Sequence, residues 1–164
     1  MAMTQEASGS AAVARELRRL DAYSFFVLPA QEWHADFAVL GTTGAFLIAV
    51  CDLPGVAHIG GRRPTIGDAH VPDLRKLRAG ARRLSGRLVN GAMFARIEPM
   101  VCLTQAIAGP PTDAAGVRFV KVGDIAGAIS ARPGVQSHTR AQAAARVLGV
   151  TVAGDQSRHF TVRR

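Results

Sequence analysis

The sequence predicts an α/β domain built on a small central mixed β-sheet with helices on both sides. Helix and strand patterns follow one another in the order α-β-β-β-α-β-β-α-α, which packs most economically in this way. The chain has 164 residues, and 48% of them are apolar. This length and composition suit one domain with a sizeable core and are short for two.

The predicted domain covers residues 10–149. Residues 1–9 are small and polar, so we expect them to be disordered. The segment 150–164 alternates only weakly between apolar and polar residues and ends in two arginines, so we expect a basic C-terminal tail.

The first part of the domain combines a helix with a β-hairpin. Apolar residues recur at helical spacing from Val13 to Leu20, and Ser10 is placed to be the N-cap. Three β-rich runs follow, at 24–30, 34–40 and 45–50. The last two are joined by GTTG at 41–44, whose glycines predict a turn and therefore a hairpin.

Residues 56–148 are predicted to contain both strands and helices. A candidate edge strand at 56–59 and a loop at 60–68 precede the clearest helix, at 71–90. Beyond it we expect the following elements: strands at 100–104 and 117–122, a loop at 110–116, and helices at 125–131 and 139–148.

The helix at 71–90 is amphipathic, with Pro72 in its first turn and Asn90-Gly91 as its stop. Its core-facing residues fall within an arc of about 80° on a helical wheel. They are Leu74, Leu77, Ala81, Leu84 and Leu88. The basic residues on the opposite side are Arg75, Lys76, Arg78, Arg82, Arg83 and Arg87. No Asp or Glu lies between Arg75 and Val89, so no i,i+4 pair offsets their repulsion.

The charge of the chain favours polyanionic partners. The net charge is +8 and the pI is about 11.1. Such a field attracts nucleic acid, acidic proteins or anionic membranes. Lys76 and Lys121 are the only lysines, and an arginine-rich composition also arises from GC-rich coding without selection for binding. The residues expected to contact nucleic acid are Arg75, Arg78, Arg82, Arg83 and Arg87, with Arg62 and Arg63 from the Gly60-Gly61-Arg62-Arg63 loop.

We interpret the cysteines and histidines as structural or surface residues. Cys51 and Cys102 form no CxxC pair, so a zinc site is not indicated and both are expected to be free, buried thiols. The histidines, which have no metal-ligand spacing, are His34, His58, His70, His138 and His159. A nucleophilic Cys51 would require His34 or His58 as a neighbouring base.

No apolar run approaches the 18 residues of a membrane span, so no membrane partner is expected. The N-terminus lacks the charged start and apolar stretch of a secretory signal, so we expect a cytoplasmic location.

One segment carries a family resemblance. It consists of Asp36, the apolar FAVL, the GTTG turn, the apolar AFLIAVC and Leu53-Pro54-Gly55. The G-x-x-x-V-A-x-x-L pattern from Gly9 to Leu17 and the EPMVCL run at 98–103 accompany it. Over residues 9–148 the chain resembles the nuclease-related domain, NERD, a branch of the PD-(D/E)xK nuclease superfamily. The resemblance implies a restriction-endonuclease-like αβββαβ core.

The resemblance also implies that the catalytic motif is degenerate. In the family, an aspartate on one strand and a glutamate on the next hold Mg²⁺, and a lysine two residues later orients the attacking water. Asp36 matches the aspartate, whereas Ala49 stands at the glutamate position and Cys51 at the lysine position. Ser10 stands where the first helix often supplies a further acid. We therefore expect no catalytic residues, with Asp36 left as a remnant of the motif, no metal site and no cofactor, with Mg²⁺ only if nuclease activity persists.

Three functions follow as hypotheses. The first is an inactivated, non-catalytic nuclease-related domain that binds DNA or RNA or forms a complex through its basic surface. The second is an assembly role, as a homo-oligomer or with a protein partner and no nucleic acid. The third is a metal-dependent nuclease whose ligands have migrated, with Asp36 joined by one or more of Asp52, Asp68, Asp73 and Glu98. Asp52 would point away from the face of Cys51 if its strand is regular, and we expect it to serve in the site only if a bulge re-aims it.

Overall fold

The computed structural model describes residues 2–89, 97–134 and 137–149 and confirms the α/β class. The helices are α1 (Ala2–Leu17), α2 (Leu74–Val89), α3 (Ile125–Ser130) and α4 (His138–Val147). The strands are β1 (Phe25–Pro29), β2 (Phe37–Gly41), β3 (Gly44–Cys51), β4 (Gly55–His58), β5 (Thr65–Ile66), β6 (Ala69–His70), β7 (Ile97–Leu103), β8 (Ala106–Ile107), β9 (Thr112–Ala114) and β10 (Val117–Lys121). Short 3₁₀ turns lie at Gln31–Trp33 and Val122–Asp124.

The central sheet has six strands in the order β1-β2-β3-β7-β10-β9. The strands β1, β2 and β3 form an antiparallel meander, and the predicted hairpin pairs Phe37 with Ile48 and Gly41 with Gly44. The strands β3, β7 and β10 run parallel, and β9 closes the sheet antiparallel to β10. Because parallel neighbours need a crossover, α2 lies in the connection from β3 to β7.

Each face of the central sheet carries its own helical layer and its own apolar core. On one face α1 and α3 pack over side chains that include Phe46, Ile48 and Cys102. On the other face α2 and α4 pack over side chains that include Leu47 and Cys51. Successive residues of β3 therefore alternate between the two cores, as the two-residue period of a strand requires.

The two helices of the second layer cover different strands of one face of the sheet, and α2 also packs against the 3₁₀ turn at Gln31–Trp33. The helix α2 packs on β7 and β3, and α4 packs on β2 and β1. Since these four strands are consecutive across the sheet, the two helices cover neighbouring halves of the same face. A smaller sheet in the order β6-β5-β4-β8 stands beside the central one.

Several boundaries differ from the sequence predictions. The helix α1 begins at Ala2, within the stretch 1–9 for which we expected disorder, so Ser10 lies inside the helix and the prediction that it is the N-cap was wrong. The predicted loops at 60–68 and 110–116 contain β5 and β9, which were missed because strands of two or three residues carry almost no periodic signal. The predicted basic tail at 150–164 and the Asn90-Gly91 stop lie outside the described residues.

Candidate functional site

Asp36 lies at the start of the β2–β3 hairpin and faces α1. Its N–H donates to the carbonyl of Ile48 at 2.9 Å, and its Oδ2 accepts the N–H of Val50 at 2.7 Å. The Ser10 hydroxyl of α1 also hydrogen-bonds the carboxylate. Burial raises the pKa of Asp36 above its ordinary value of 3.8, against the opposing effect of these two hydrogen bonds, and the charge of Asp52 raises it further.

Asp52 is the acidic residue that the fold brings to Asp36. The expectation that only a bulge could bring it there was wrong, because β3 keeps its register with β7 as far as Cys51 and Asp36 faces the side of the sheet opposite Cys51. Asp52 follows β3 on the face of Phe46, Ile48 and Val50, which is the face that α1 covers. A Cβ built on Gly9 of α1 would lie 1.9 Å from Asp52 Oδ1, so this carboxylate rests directly against the helix backbone. The hydroxyl of Thr104, just after β7, donates to the same oxygen.

The other acidic candidates for a migrated metal site lie away from Asp36. Asp68 is exposed in the turn between β5 and β6 of the smaller sheet. Asp73 pairs with Lys76 at 3.4 Å at the start of α2, and Glu98 forms an ion pair with Arg132. Only Asp52 among the four candidates interacts with Asp36.

Ala49 and Cys51 lie on the other face of β3. Both belong to the core beneath α2 and α4, away from Asp36. The β3 residues on the Asp36 face are Val50 and then Asp52, so neither a glutamate nor a lysine stands there. The site offers two carboxylates and the hydroxyls of Ser10 and Thr104. Oxygen atoms of this kind suit Mg²⁺, but in residues 2–89, 97–134 and 137–149 no three His, Cys, Asp or Glu side chains form a group that could hold a metal ion.

The two cysteines are free thiols and both are buried. Burial raises the pKa of the Cys51 thiol. Burial, reinforced by the charges of Asp52 and Glu16 and by Cys51, raises the pKa of the Cys102 thiol to about 12. Because the thiolate is the nucleophile, neither environment activates a cysteine.

The basic side of α2 divides into anchored and outward-facing residues. The guanidinium of Arg78 donates to the carbonyl of Ala115 before β10, and Arg83 Nη2 donates to the carbonyl of Glu32 at 3.1 Å. Arg78 thereby anchors α2 to the segment before β10, and Arg83 anchors it to the 3₁₀ turn at Gln31–Trp33. Within the described parts of the chain, the α2 arginines that are exposed and have no such anchor are Arg75, Arg82 and Arg87.

The loop arginines occupy a different part of the molecule. Arg62 and Arg63 are exposed between β4 and β5, in the smaller sheet. They are therefore accessible to a partner, but they lie in the smaller sheet and not in the helical layer of α2.

Two further arginines, which the sequence analysis did not single out, belong to the same helical layer as α2. Arg140 and Arg146 are exposed on α4, whose alanines 141, 144 and 145 are buried. Neither α2 nor α4 contains an acidic residue within its bounds. We call the outer surface of these two helices the α2–α4 face. The signal for Arg140 and Arg146 was the spacing of the buried alanines, which places the arginines outward.

Comparison of the chain with family models, with curated proteins and with solved structures finds no match. In the described ranges, no helix has the length and apolar character required to cross a membrane.

Proposed function

We propose that this chain is a non-catalytic nucleic-acid-binding domain on a nuclease-related scaffold, and that it binds through the α2–α4 face. The observation that carries the proposal is the distribution of charge on that face. Arg75, Arg82 and Arg87 point outward from α2, Arg140 and Arg146 point outward from α4, and no acidic residue of either helix neutralises them.

Such a face suits a phosphate backbone for a physical reason. Each phosphate that an arginine neutralises releases condensed counterions into the solvent, which favours binding and makes it depend steeply on salt. Like charges in one helical layer repel one another, and this repulsion is relieved when a polyanion binds.

The hairpin supports the non-catalytic half of the proposal. With the strands β4 to β6 of the smaller sheet set aside, the elements follow one another as α1, β1, β2, β3, α2 and β7, and this order supports the proposal of a nuclease-related scaffold. Ala49 and Cys51, which the resemblance places at the glutamate and lysine positions, lie on the opposite face, and the β3 residues on the Asp36 side are Val50 and Asp52. Without the lysine nothing in this group orients a water molecule and adds positive charge to the transition state.

The test is the salt dependence of binding to oligonucleotides. For the wild-type protein we expect log K to fall linearly with log salt. Arg75→Ala/Arg82→Ala should lower the slope by about one unit for each arginine that contacts a phosphate. The matched control is Arg15→Ala/Arg18→Ala, which removes the same charge from exposed positions in the last turn of α1 and directly after it, and should leave the slope close to that of the wild type.

Two results would overturn the proposal. A slope near zero, or no binding at low salt, removes the nucleic-acid role. Cleavage of DNA with Mg²⁺ or Mn²⁺ that is lost on Asp36→Ala would show that Asp36 and Asp52 act in catalysis.

A protein-binding role is the second candidate, and a different surface favours it. Val56 of β4 and Ile107 of β8 are paired neighbours in the smaller sheet and are 49% and 70% exposed. An apolar pair on a short sheet is a surface that a partner could bury. Mass measurement in solution with and without Ile107→Glu tests for self-association, and a strict monomer that captures no protein counts against this role.

A further inference from the structure

Tyr23 and His138 form an aromatic stack at the end of the α2–α4 face. Tyr23 lies in the connection from α1 to β1, and His138 is the first residue of α4. The ring centroids are 4.2 Å apart and the ring planes differ by 3°. Phe26 of β1 flanks His138 at 5.9 Å between centroids. Phe26 therefore links the stack to strand β1 of the central sheet.

The tyrosine is held in position from both sides. Asp21 accepts the N–H of Tyr23 through Oδ1 at 3.0 Å and the hydroxyl of Ser24 through Oδ2 at 2.9 Å. Ser137 caps α4 by accepting the N–H of Arg140 at 3.3 Å. The ring thus needs little further ordering when it makes a new contact, which lowers the entropic cost of binding.

The outer side of this ring remains open to solvent. Tyr23 is 71% exposed although it is fixed against His138. Arg140 is exposed in the first turn of the same helix. Residues two apart lie on different sides of a helix, so the ring lies at the N-terminal end of α4, at the turn that carries Arg140, and not against the Arg140 side chain.

We infer that the open face of Tyr23 stacks on a nucleobase, and that the nucleic acid bound by the α2–α4 face is single-stranded. This inference rests on the proposed function and adds the class of nucleic acid. A duplex hides the faces of its bases, whereas a single strand offers one face per nucleotide to an aromatic ring beside a basic track.

The stack supplies a base contact that α2 cannot make. The helix α2 contains no aromatic residue, so α2 alone offers only phosphate contacts. The fold brings Tyr23 and His138, which are far apart in the chain, to the start of the neighbouring helix. Phosphate contacts from α2 and α4 and a base contact at the start of α4 then belong to one helical layer.

The experiment compares a labelled oligo-dT with a duplex of equal length at one salt concentration. For the wild type we expect tighter binding to oligo-dT. Tyr23→Ala should weaken oligo-dT binding about tenfold and leave duplex binding unchanged. Because stacking neutralises no phosphate, the salt slope should not change. Tyr23→Phe keeps the ring and should bind as the wild type does, and Ile107→Ala, which truncates another exposed apolar side chain, is the matched control.

A second measurement on the wild-type protein does not depend on the folding of a variant. The chain has a single tyrosine, so labelled tyrosine reports on position 23 alone in an NMR spectrum. Base stacking should move its ring resonances upfield on addition of oligo-dT and not of duplex.

The outcomes separate the two proposals. Absence of binding to either oligonucleotide contradicts the proposed function. Binding that is equal or stronger for the duplex, with no effect of Tyr23→Ala and no ring shift, leaves the proposed function standing and overturns this inference.

Discussion

Gly80 of α2 lies directly against the backbone carbonyl of Trp33, so closely that a Cβ at position 80 would be 1.9 Å from that oxygen. The contact sets the distance between the helix and the 3₁₀ turn, because backbone atoms on both sides leave no flexible group to give way. It also positions Arg83 to donate to the carbonyl of the adjacent Glu32.

Substitution of alanine at two glycines of this helix should have opposite effects. Gly86 has open space around it, so Gly86→Ala should stabilise the protein by about 1 kcal/mol through helix propensity. Gly80→Ala should destabilise it by about 1–3 kcal/mol because the helix must move away from Trp33. Urea unfolding of both variants measures the difference, and equal stabilities would contradict the close approach.

Gly9 and Asp52 should be energetically coupled. Alanine at an interior helical position normally gains about 1 kcal/mol over glycine. Gly9→Ala should lose this gain, since the new methyl group would displace the Asp52 carboxylate from its contact with α1 and Thr104. In an Asp52→Ala background the same substitution should recover it. A double-mutant cycle of unfolding free energies measures the coupling, and additive effects would show that the two residues do not touch.

Asp36 should make the protein less stable as pH rises. Its pKa is raised in the folded state, so the folded form holds its proton more tightly than the unfolded chain does. The stability that it contributes is fully present below its ordinary value of 3.8 and is lost as pH rises through the higher folded pKa. The stability of the wild type relative to Asp36→Asn should therefore fall over that interval and then level off.

The control for this pH effect is the neighbouring carboxylate. The charge of Asp52 is one cause of the raised pKa of Asp36, so Asp52→Asn should make the fall smaller. Asparagine at position 36 can still accept the N–H of Val50, which preserves the hairpin contact. Relative stability that rose with pH would contradict the assigned direction.

Both thiols should resist modification in the folded protein. Cys51 is 6% exposed and Cys102 is fully buried, and the pKa of each is raised. We expect slow reaction with a thiol reagent at neutral pH and rapid reaction of both cysteines in denaturant. The single variants Cys51→Ser and Cys102→Ser assign the rates. A fast native reaction at Cys51 would revive its role as a nucleophile.

Local sequence patterns were sufficient for the fold class and the major elements. The hairpin, α2, β7, β10 and the closing helices were predicted close to their observed positions, because alternation with period two and apolar spacing near 3.6 residues act within a few residues of the chain. The exposed position of Arg75 and Arg82 followed from the same helical wheel. The glycine-flanked turn likewise identified the partners in the hairpin.

Tertiary structure decided which residues share a site. It turned Asp52 toward Asp36 and left Cys51 in the opposite core, because the face of a strand residue matters only once helices cover the sheet. It anchored Arg78 and left Arg82 free, since only packing supplies the carbonyl of a distant turn. The stack of Tyr23 on His138 and the placement of α2 and α4 on one face of the sheet likewise depend on strand order. That order is set by long-range pairing and has no signature within a short window of sequence.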